Sequence, residues 1–330
     1  MTFLVPLLTV VATLVIGAFS APLAAATFGG ENGRISFNAF NEATQSVEIF
    51  TARRNGSDVT RVTDSGTDRV AQISDWSPDG RKIAFDSNRV DIDGREDVVQ
   101  TYVMDADGSD VVQLTRGPGF HGNPGFSPDG AQLAIDTDWG DFPALQGIWL
   151  IPTSDGDGVT QEDAERLTTV PDDADYDSEP QFSPNGRVVA FTRFRDPTHS
   201  AIHRVKADGT GLRRLTPWRL NASDADWSPN GRRITFDSGD ALQPGSRSNV
   251  FVMRPNGKDR TRLTDIARIG EDGPFTGAQN PVFSPNGKRI LFTRYLADSS
   301  VLKVMRRDGS RKRTVVERPG FPNKADWASK

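Results

Sequence analysis

Trp76-Ser77-Pro78-Asp79-Gly80-Arg81-Lys82-Ile83-Ala84-Phe85 decides the fold, because the chain repeats it. The phrase returns as Phe126-Ser127-Pro128-Asp129-Gly130 with Leu133-Ala134-Ile135, and as Phe182-Ser183-Pro184-Asn185-Gly186 with Val189-Ala190-Phe191. It comes again as Trp227-Ser228-Pro229-Asn230-Gly231 with Ile234-Thr235-Phe236, and as Phe283-Ser284-Pro285-Asn286-Gly287 with Ile290-Leu291-Phe292. Internal repetition at this period marks an array of like supersecondary units.

Each copy reads as two antiparallel strands joined by a tight turn. Serine can hydrogen-bond the backbone, proline presets φ, Asp or Asn suits the third position, and glycine accepts the left-handed geometry that closes the turn. A second hairpin follows. Its apolar strand is Thr101-Tyr102-Val103-Met104 or Val250-Phe251-Val252-Met253, its turn Asp107-Gly108, Asp208-Gly209, Asn256-Gly257 or Asp308-Gly309, and its end a Leu-Thr pair such as Leu114-Thr115 or Leu215-Thr216. Four strands per repeat near 50 residues describe a β-propeller blade. The turn glycines are 50, 56, 45 and 56 residues apart, a scatter that falls in loops.

The two ends complete each other. Asn32-Gly33-Arg34-Ile35-Ser36-Phe37 matches only the second half of the phrase, and Lys324-Ala325-Asp326-Trp327-Ala328-Ser329 only the first half. The expected fold is all-β: a six-bladed β-propeller with four antiparallel strands per blade, its ring closed by the C-terminal strand pairing with the N-terminal blade. Closure removes an exposed sheet edge and buries Trp327, worth roughly 2–3 kcal/mol.

Composition narrows the function. Among 330 residues there is no Cys, which excludes disulfides, thiolate metal sites, thiol nucleophiles and a lipid anchor on cysteine. A net charge of −5 argues against nucleic acid as a partner. Residues 1–26 carry no charged side chain, are apolar from Phe3 to Phe19 and end in Ala24-Ala25-Ala26, so they read as a signal peptide ahead of a propeller over 27–330. Uncut, the segment would be a membrane anchor. Either way the expected location is secreted, periplasmic or cell-envelope.

The aromatic-Ser-Pro-Asp/Asn-Gly phrase, the apolar strand, the glycine turn and Leu-Thr together resemble the propeller repeat of TolB, shared with propellers attached to prolyl oligopeptidase-type peptidases. The resemblance spans residues 31–330. TolB has an α/β domain before its propeller and the peptidases a hydrolase domain, so the chain looks like a stand-alone TolB-type propeller. A place in a Tol-Pal envelope system is then an analogy, since propellers carry many functions.

Catalytic motifs are missing from the sequence: no Gly-x-Ser-x-Gly elbow, zinc helix, phosphate loop or dinucleotide fingerprint. Ser77, Ser127, Ser183, Ser228 and Ser284 recur in every copy, which suits turn capping and not a nucleophile. Of three histidines, His121 and His199 read as solvated loop residues that could also approach the axial mouth, and His203 as a packed strand residue.

Acidic loops supply a candidate calcium site, since Asp91, Asp93 and Asp97 alternate around a glycine. Asp138 with Asp141, and Asp172, Asp173, Asp175 and Asp177, belong to the same face. Residues 27–180 hold 11 basic and 30 acidic side chains, whereas 181–330 hold 28 and 14, so the ring is electrically two-sided. Arg306, Arg307, Arg311, Lys312 and Arg313 form a candidate patch for an anionic polymer.

A ligand belongs in the axial funnel, where the inner strands begin. Its candidate residues are Asp75, Asn123, Glu179, Asp224, Asp226, Asn280, Lys324 and Asp326, with Ile73 beside them. This polar, mostly acidic mouth suits a basic peptide segment or a cation. The function that follows is a noncatalytic extracytoplasmic binding scaffold, expected as a monomer, for an envelope or extracellular protein, peptide or anionic polymer. The alternative is a metal-dependent hydrolase, lactonase or lyase with an axial metal held by carboxylates and His121 or His199.

Overall fold

The computed structural model describes residues 29–67, 69–89, 98–140, 142–153, 158–196, 198–239, 247–266, 276–317 and 320–330. The segment 1–26 and the carboxylates Asp91, Asp93, Asp97 and Asp141 lie outside them. The described chain is all β, apart from two 3-10 turns at Gln161–Asp163 and Trp218–Leu220, and no helix among the described residues is long and apolar enough to cross a membrane.

Strands β1 (Asn32–Asn41), β2 (Ser46–Arg53) and β3 (Thr60–Arg61) begin one sheet. A second contains β4 (Ala71–Trp76), β5 (Lys82–Ser87), β6 (Gln100–Asp105) and β7 (Val112–Gln113). The third holds β8 (His121–Phe126), β9 (Gln132–Thr137), β10 (Gly147–Pro152) and β11 (Glu165–Arg166), and the fourth β12 (Tyr176–Phe182), β13 (Val188–Asp196), β14 (His199–Lys206) and β15 (Arg213–Arg214). Then come β16 (Ala222–Trp227), β17 (Ile234–Gly239), β18 (Arg247–Met253), β19 (Thr261–Arg262), β20 (Thr276–Phe283), β21 (Arg289–Tyr295), β22 (Ser300–Arg306) and β23 (Arg313–Val316), all in one sheet. Finally β24 (Asn323–Ser329) returns to the first sheet and pairs antiparallel with β1, placing Trp327 opposite Ile35 and Asp326 opposite Ser36.

The architecture is a β-propeller, with one departure from the sequence expectation of six separate sheets. Four sheets have four strands, and a fifth has eight because β18 and β20 pair in parallel at Arg247–Thr276 and Ser248–Gly277. Elsewhere the third strand of one set reaches the next inner strand through a side chain: Thr101 Oγ1 donates to His121 O, Ser200 Oγ to Ala222 O and Ser300 Oγ to Pro322 O. At β18 the same latch, Ser248 Oγ to Ala278 O at 3.3 Å, is reinforced by backbone bridges that merge two sets.

The repeated turns fold as their residues dictate. Ser77 Oγ accepts from Lys82 N and donates to Asp79, while Gly80 sits at φ +67°. Ser127, Ser183, Ser228 and Ser284 accept from the residue five positions on in the same way. The Leu-Thr threonines, and Thr63 after Val62, also have a job: Thr63, Thr115, Thr168, Thr216 and Thr264 accept from the backbone N–H of Ile49, Thr101, Ile148, Ile202 and Val250.

The core is divided into six clusters, each between successive sets of strands. The cluster holding Trp327 joins Ile35 and Phe37 of β1 to Leu291 of β21 and Leu302 of β22, so the last strand helps seal the sheet on either side of the join.

Candidate functional site

Six inner strands, β4, β8, β12, β16, β20 and β24, surround a single axial cavity of about 90 Å³. Each carries one residue in the left-handed region: Ile73, Asn123, Glu179, Asp224, Asn280 and Lys324, with φ between 44° and 57°. In the first five of these strands the pairing register with the next strand shifts around that residue. A bulge there turns the side chain out of the sheet and into the cavity, at a backbone cost that is highest for β-branched Ile73. All eight funnel residues read from the sequence line the cavity.

Three tiers of carboxyl groups follow. At the mouth, Lys324 Nζ lies 2.5 Å from Asp224 Oδ1 and 3.3 Å from Glu179 Oε1. Burial disfavours the Lys324 ammonium, but the Asp224 and Glu179 carboxylates outweigh it and push its pKa above the ordinary lysine value. Burial likewise opposes the Asp224 carboxylate, and Lys324 overcomes it, holding Asp224 below the usual range. Glu179 is raised, by burial and then by the charge of Asp224. The sequence placed Lys324 among the residues of a mostly acidic mouth, and the structure shows it neutralising part of that acidity.

Behind the mouth stand Asp86, Asp136 and Asp237, one from each of β5, β9 and β17. Two of them satisfy the strained residue of the next set: Asp237 Oδ2 accepts from Asn280 N at 2.9 Å, and Asp86 Oδ2 from Asn123 N at 3.3 Å. Asp136 accepts from Asn123 Nδ2 at 3.0 Å. Burial pushes Asp86 and Asp237 well above the carboxylate range and Asp136 up to about 7. Sequence reading missed this tier, although its signal recurs just after the repeated apolar strand, in Phe85-Asp86-Ser87, Ile135-Asp136-Thr137 and Phe236-Asp237-Ser238.

The deepest tier is Asp75, Asp226 and Asp326. Each reaches across to the next set, accepting from Phe126 N at 2.8 Å, Phe283 N at 2.7 Å and Trp76 N at 2.9 Å. Burial raises all three, and the charge of Asp326 raises Asp75 and Asp226 further.

Chemically, eight carboxyl groups surround one ammonium. Asn280 is buried, and its Oδ1 has no hydrogen-bond partner. The arrangement accepts protons, hydrogen-bond donors and cationic groups, and among the described residues no three His, Cys, Asp or Glu are grouped to hold a metal.

Other sequence candidates lie elsewhere. His121 is buried, not solvated: Nδ1 lies 2.8 Å from Thr137 Oγ1, Nε2 3.1 Å from Pro118 O, and Trp139 packs edge-on, with burial pushing its pKa down to about 4. His199 is exposed and pairs with Asp196 at 2.9 Å. Neither lines the axial cavity, so the axial metal held by His121 or His199 has no geometric basis. His203 is buried against Phe191 and Trp218. Asp177 is not a loop ligand but half of a buried pair with Arg193, 2.6 Å apart. Arg306, Arg307, Arg311, Lys312 and Arg313 are exposed around the β22–β23 turn, beside the Ser284–Gly287 turn and thus at the sheet end away from the mouth.

Residues 158–330, just over half of the chain, match the family model of the TolB beta propeller domain. The chain belongs to this family. The uncharacterized protein Atu1656 of Agrobacterium fabrum is 26% identical over 266 residues, 80% of this chain and 78% of its own length. The uncharacterized peptidase YuxL of Bacillus subtilis is 26% identical over 206 residues, and the Tol-Pal system protein TolB of Geobacter sulfurreducens 36% over 111. The matched parts cover 54% and 32% of this chain but only 30% and 24% of those two relatives. Among solved structures, TolB from Acinetobacter baumannii superposes with a TM-score of 0.70 at 21% identity, covering 90% of this chain and 67% of that one, a likeness of fold. The axial site described above is therefore built on a TolB-type propeller frame.

Proposed function

We propose that this chain is a noncatalytic binding scaffold whose axial funnel receives a cationic segment of an envelope or extracellular protein or peptide. The reading counts six blades, taking the eight-stranded sheet as two blades fused at the β18–β20 seam; six core clusters and six left-handed inner-strand residues support that count. It also takes the chain as exported, on the uncharged apolar character of residues 1–26.

One observation carries the binding reading: eight carboxyl groups and the unpartnered acceptor Asn280 Oδ1 face or back a cavity that holds a single ammonium, Lys324. An incoming lysine or arginine side chain completes the charge balance at the deepest tier or displaces Lys324 at the mouth. The likeness to a Tol-Pal system protein supports a partner in the envelope. Among the described residues no convergent acid, base and nucleophile supports the enzyme alternative, and neither His121 nor His199 lines the axial cavity.

The test is capture of partners from an envelope extract by the folded chain and by the Asp226→Asn/Asp326→Asn double variant. Asn keeps an acceptor for Phe283 N and Trp76 N while removing the carboxyl charge, so a partner retained equally by both proteins overturns the proposal.

A further inference from the structure

A second cavity, of about 300 Å³, opens on the funnel-side rim between the loops that flank β8, β9 and β12. Its walls are Phe120, Phe142 and Tyr176, and its polar lining includes Asn123, Asp136 and Asp138. Large exposed hydrophobic side chains are otherwise scattered over the described surface, yet these three rings, 37%, 59% and 37% exposed, converge on one cavity.

The pocket is held ready by its backbone. Asp138 Oδ1 accepts from Gly140 N at 2.8 Å and from Phe120 N at 3.3 Å, tying the two loops together. Gly119 and Gly140 sit at φ +92° and +79°, and a Cβ on Gly119 would fall 2.1 Å from Asp138 Oδ1, so the contact exists only because both are glycine. Gly122 plays the same part for Phe120: a Cβ there would lie 2.4 Å from the ring. Tyr176 is stacked on Phe194 with centroids 4.5 Å apart.

Charge selects the occupant. The lining contains two acidic side chains, Asp136 and Asp138, and neither lysine nor arginine, and it lies in the half of the chain with 11 basic and 30 acidic side chains. Burial and the carboxylates of Glu179, Asp136 and Asp175 push the Tyr176 phenol up to about 12, a mark of the negative field at this wall. Aromatic faces beside carboxylates attract a cation that is weakly hydrated and carries apolar groups.

We propose that this rim pocket is a binding site, separate from the axial cavity, for an organic cation, namely an alkylammonium group packed between Phe120, Phe142 and Tyr176 with Asp138 as its counter-charge. Asn123, which lines both cavities, is the wall between the two sites.

Calorimetric titration of the whole chain tests it with three probes: choline, a blocked lysine tripeptide, and 3,3-dimethyl-1-butanol, the uncharged isostere of choline. Choline or the lysine peptide is expected to bind saturably, the tighter of the two showing whether a free quaternary ammonium or a side chain is the natural source. The isostere should bind roughly three- to thirtyfold more weakly than choline. Phe142→Ala and Asp138→Asn, each with an unchanged melting curve, should each weaken the cation by a similar factor. Asp226→Asn/Asp326→Asn should leave choline binding unchanged, which separates this site from the axial one. Equal binding of choline and its isostere, no saturable binding of either cation, or unaltered binding in Phe142→Ala overturns the proposal.

Discussion

Trp327 stands opposite Ile35 in the ladder between β24 and β1, so residues near the two ends of the chain share one sheet and one core cluster. Trp327 is 3% exposed. Trp327→Ala should therefore destabilise the whole ring by about 3–5 kcal/mol, the usual loss for a buried tryptophan. Urea unfolding should show it as a lower midpoint at unchanged slope; a slope that falls sharply would mean that one sheet frays by itself.

Lys324→Met should lower stability by about 1–3 kcal/mol at pH 8, because Asp224 and Glu179 then face each other without a cation. In the native chain Asp224 lies below its ordinary pKa, so its stabilising share is present above about pH 4 and lost on acidification. Lys324 lies above its own, so its share persists below about pH 10. The gap between native and variant should close below about pH 4, and melting temperatures across the pH range would read it out.

Asp136 works in the opposite sense. Its carboxyl titrates at about 7 in the fold against about 4 in the unfolded chain, so the folded state holds the extra proton. Stability from this group is complete below about pH 4 and disappears as pH rises through 7, a change on the order of a few kcal/mol. Asp136→Asn keeps a partner for Asn123 and should flatten the decline between those values. An identical pH profile in the variant would assign the decline to Asp75, Asp86, Asp226 or Asp237, which burial also raises.

Ile73 occupies the left-handed position that Asn123 and Asn280 fill in other strands. Asparagine tolerates that region and a β-branched residue resists it. Ile73→Asn should raise stability by about 0.5–1 kcal/mol, offset in part by the lost apolar contact of a half-buried side chain. Thermal unfolding decides the sign.

Much of the frame was legible from the repeated phrase. Ser77 and Gly80 specify their turn chemically, and the half-phrases around Ile35 and Trp327 can pair only if the ring closes. The axial chemistry was less so. Lys324 and Glu179 are 145 residues apart, and a salt bridge across the axis has no local signature. Asp86, Asp136 and Asp237 sit in runs otherwise apolar enough to read as plain strand. The left-handed backbone at Glu179 or Asp224 comes from a bulge, which depends on how two strands slide past each other and not on residue type. The β18–β20 seam, too, is a matter of how closely two backbones approach.

Lys324 belongs to β24, whereas its partners Glu179 and Asp224 belong to β12 and β16. During synthesis seven of the eight axial carboxyl groups emerge first, and their counter-ion Lys324 follows, together with Asp326, on the very strand that pairs with β1. A nascent chain stalled before residue 323 thus lacks the ammonium that offsets Asp224 and Glu179, so the strand that completes the first sheet also delivers the counter-charge of the axis.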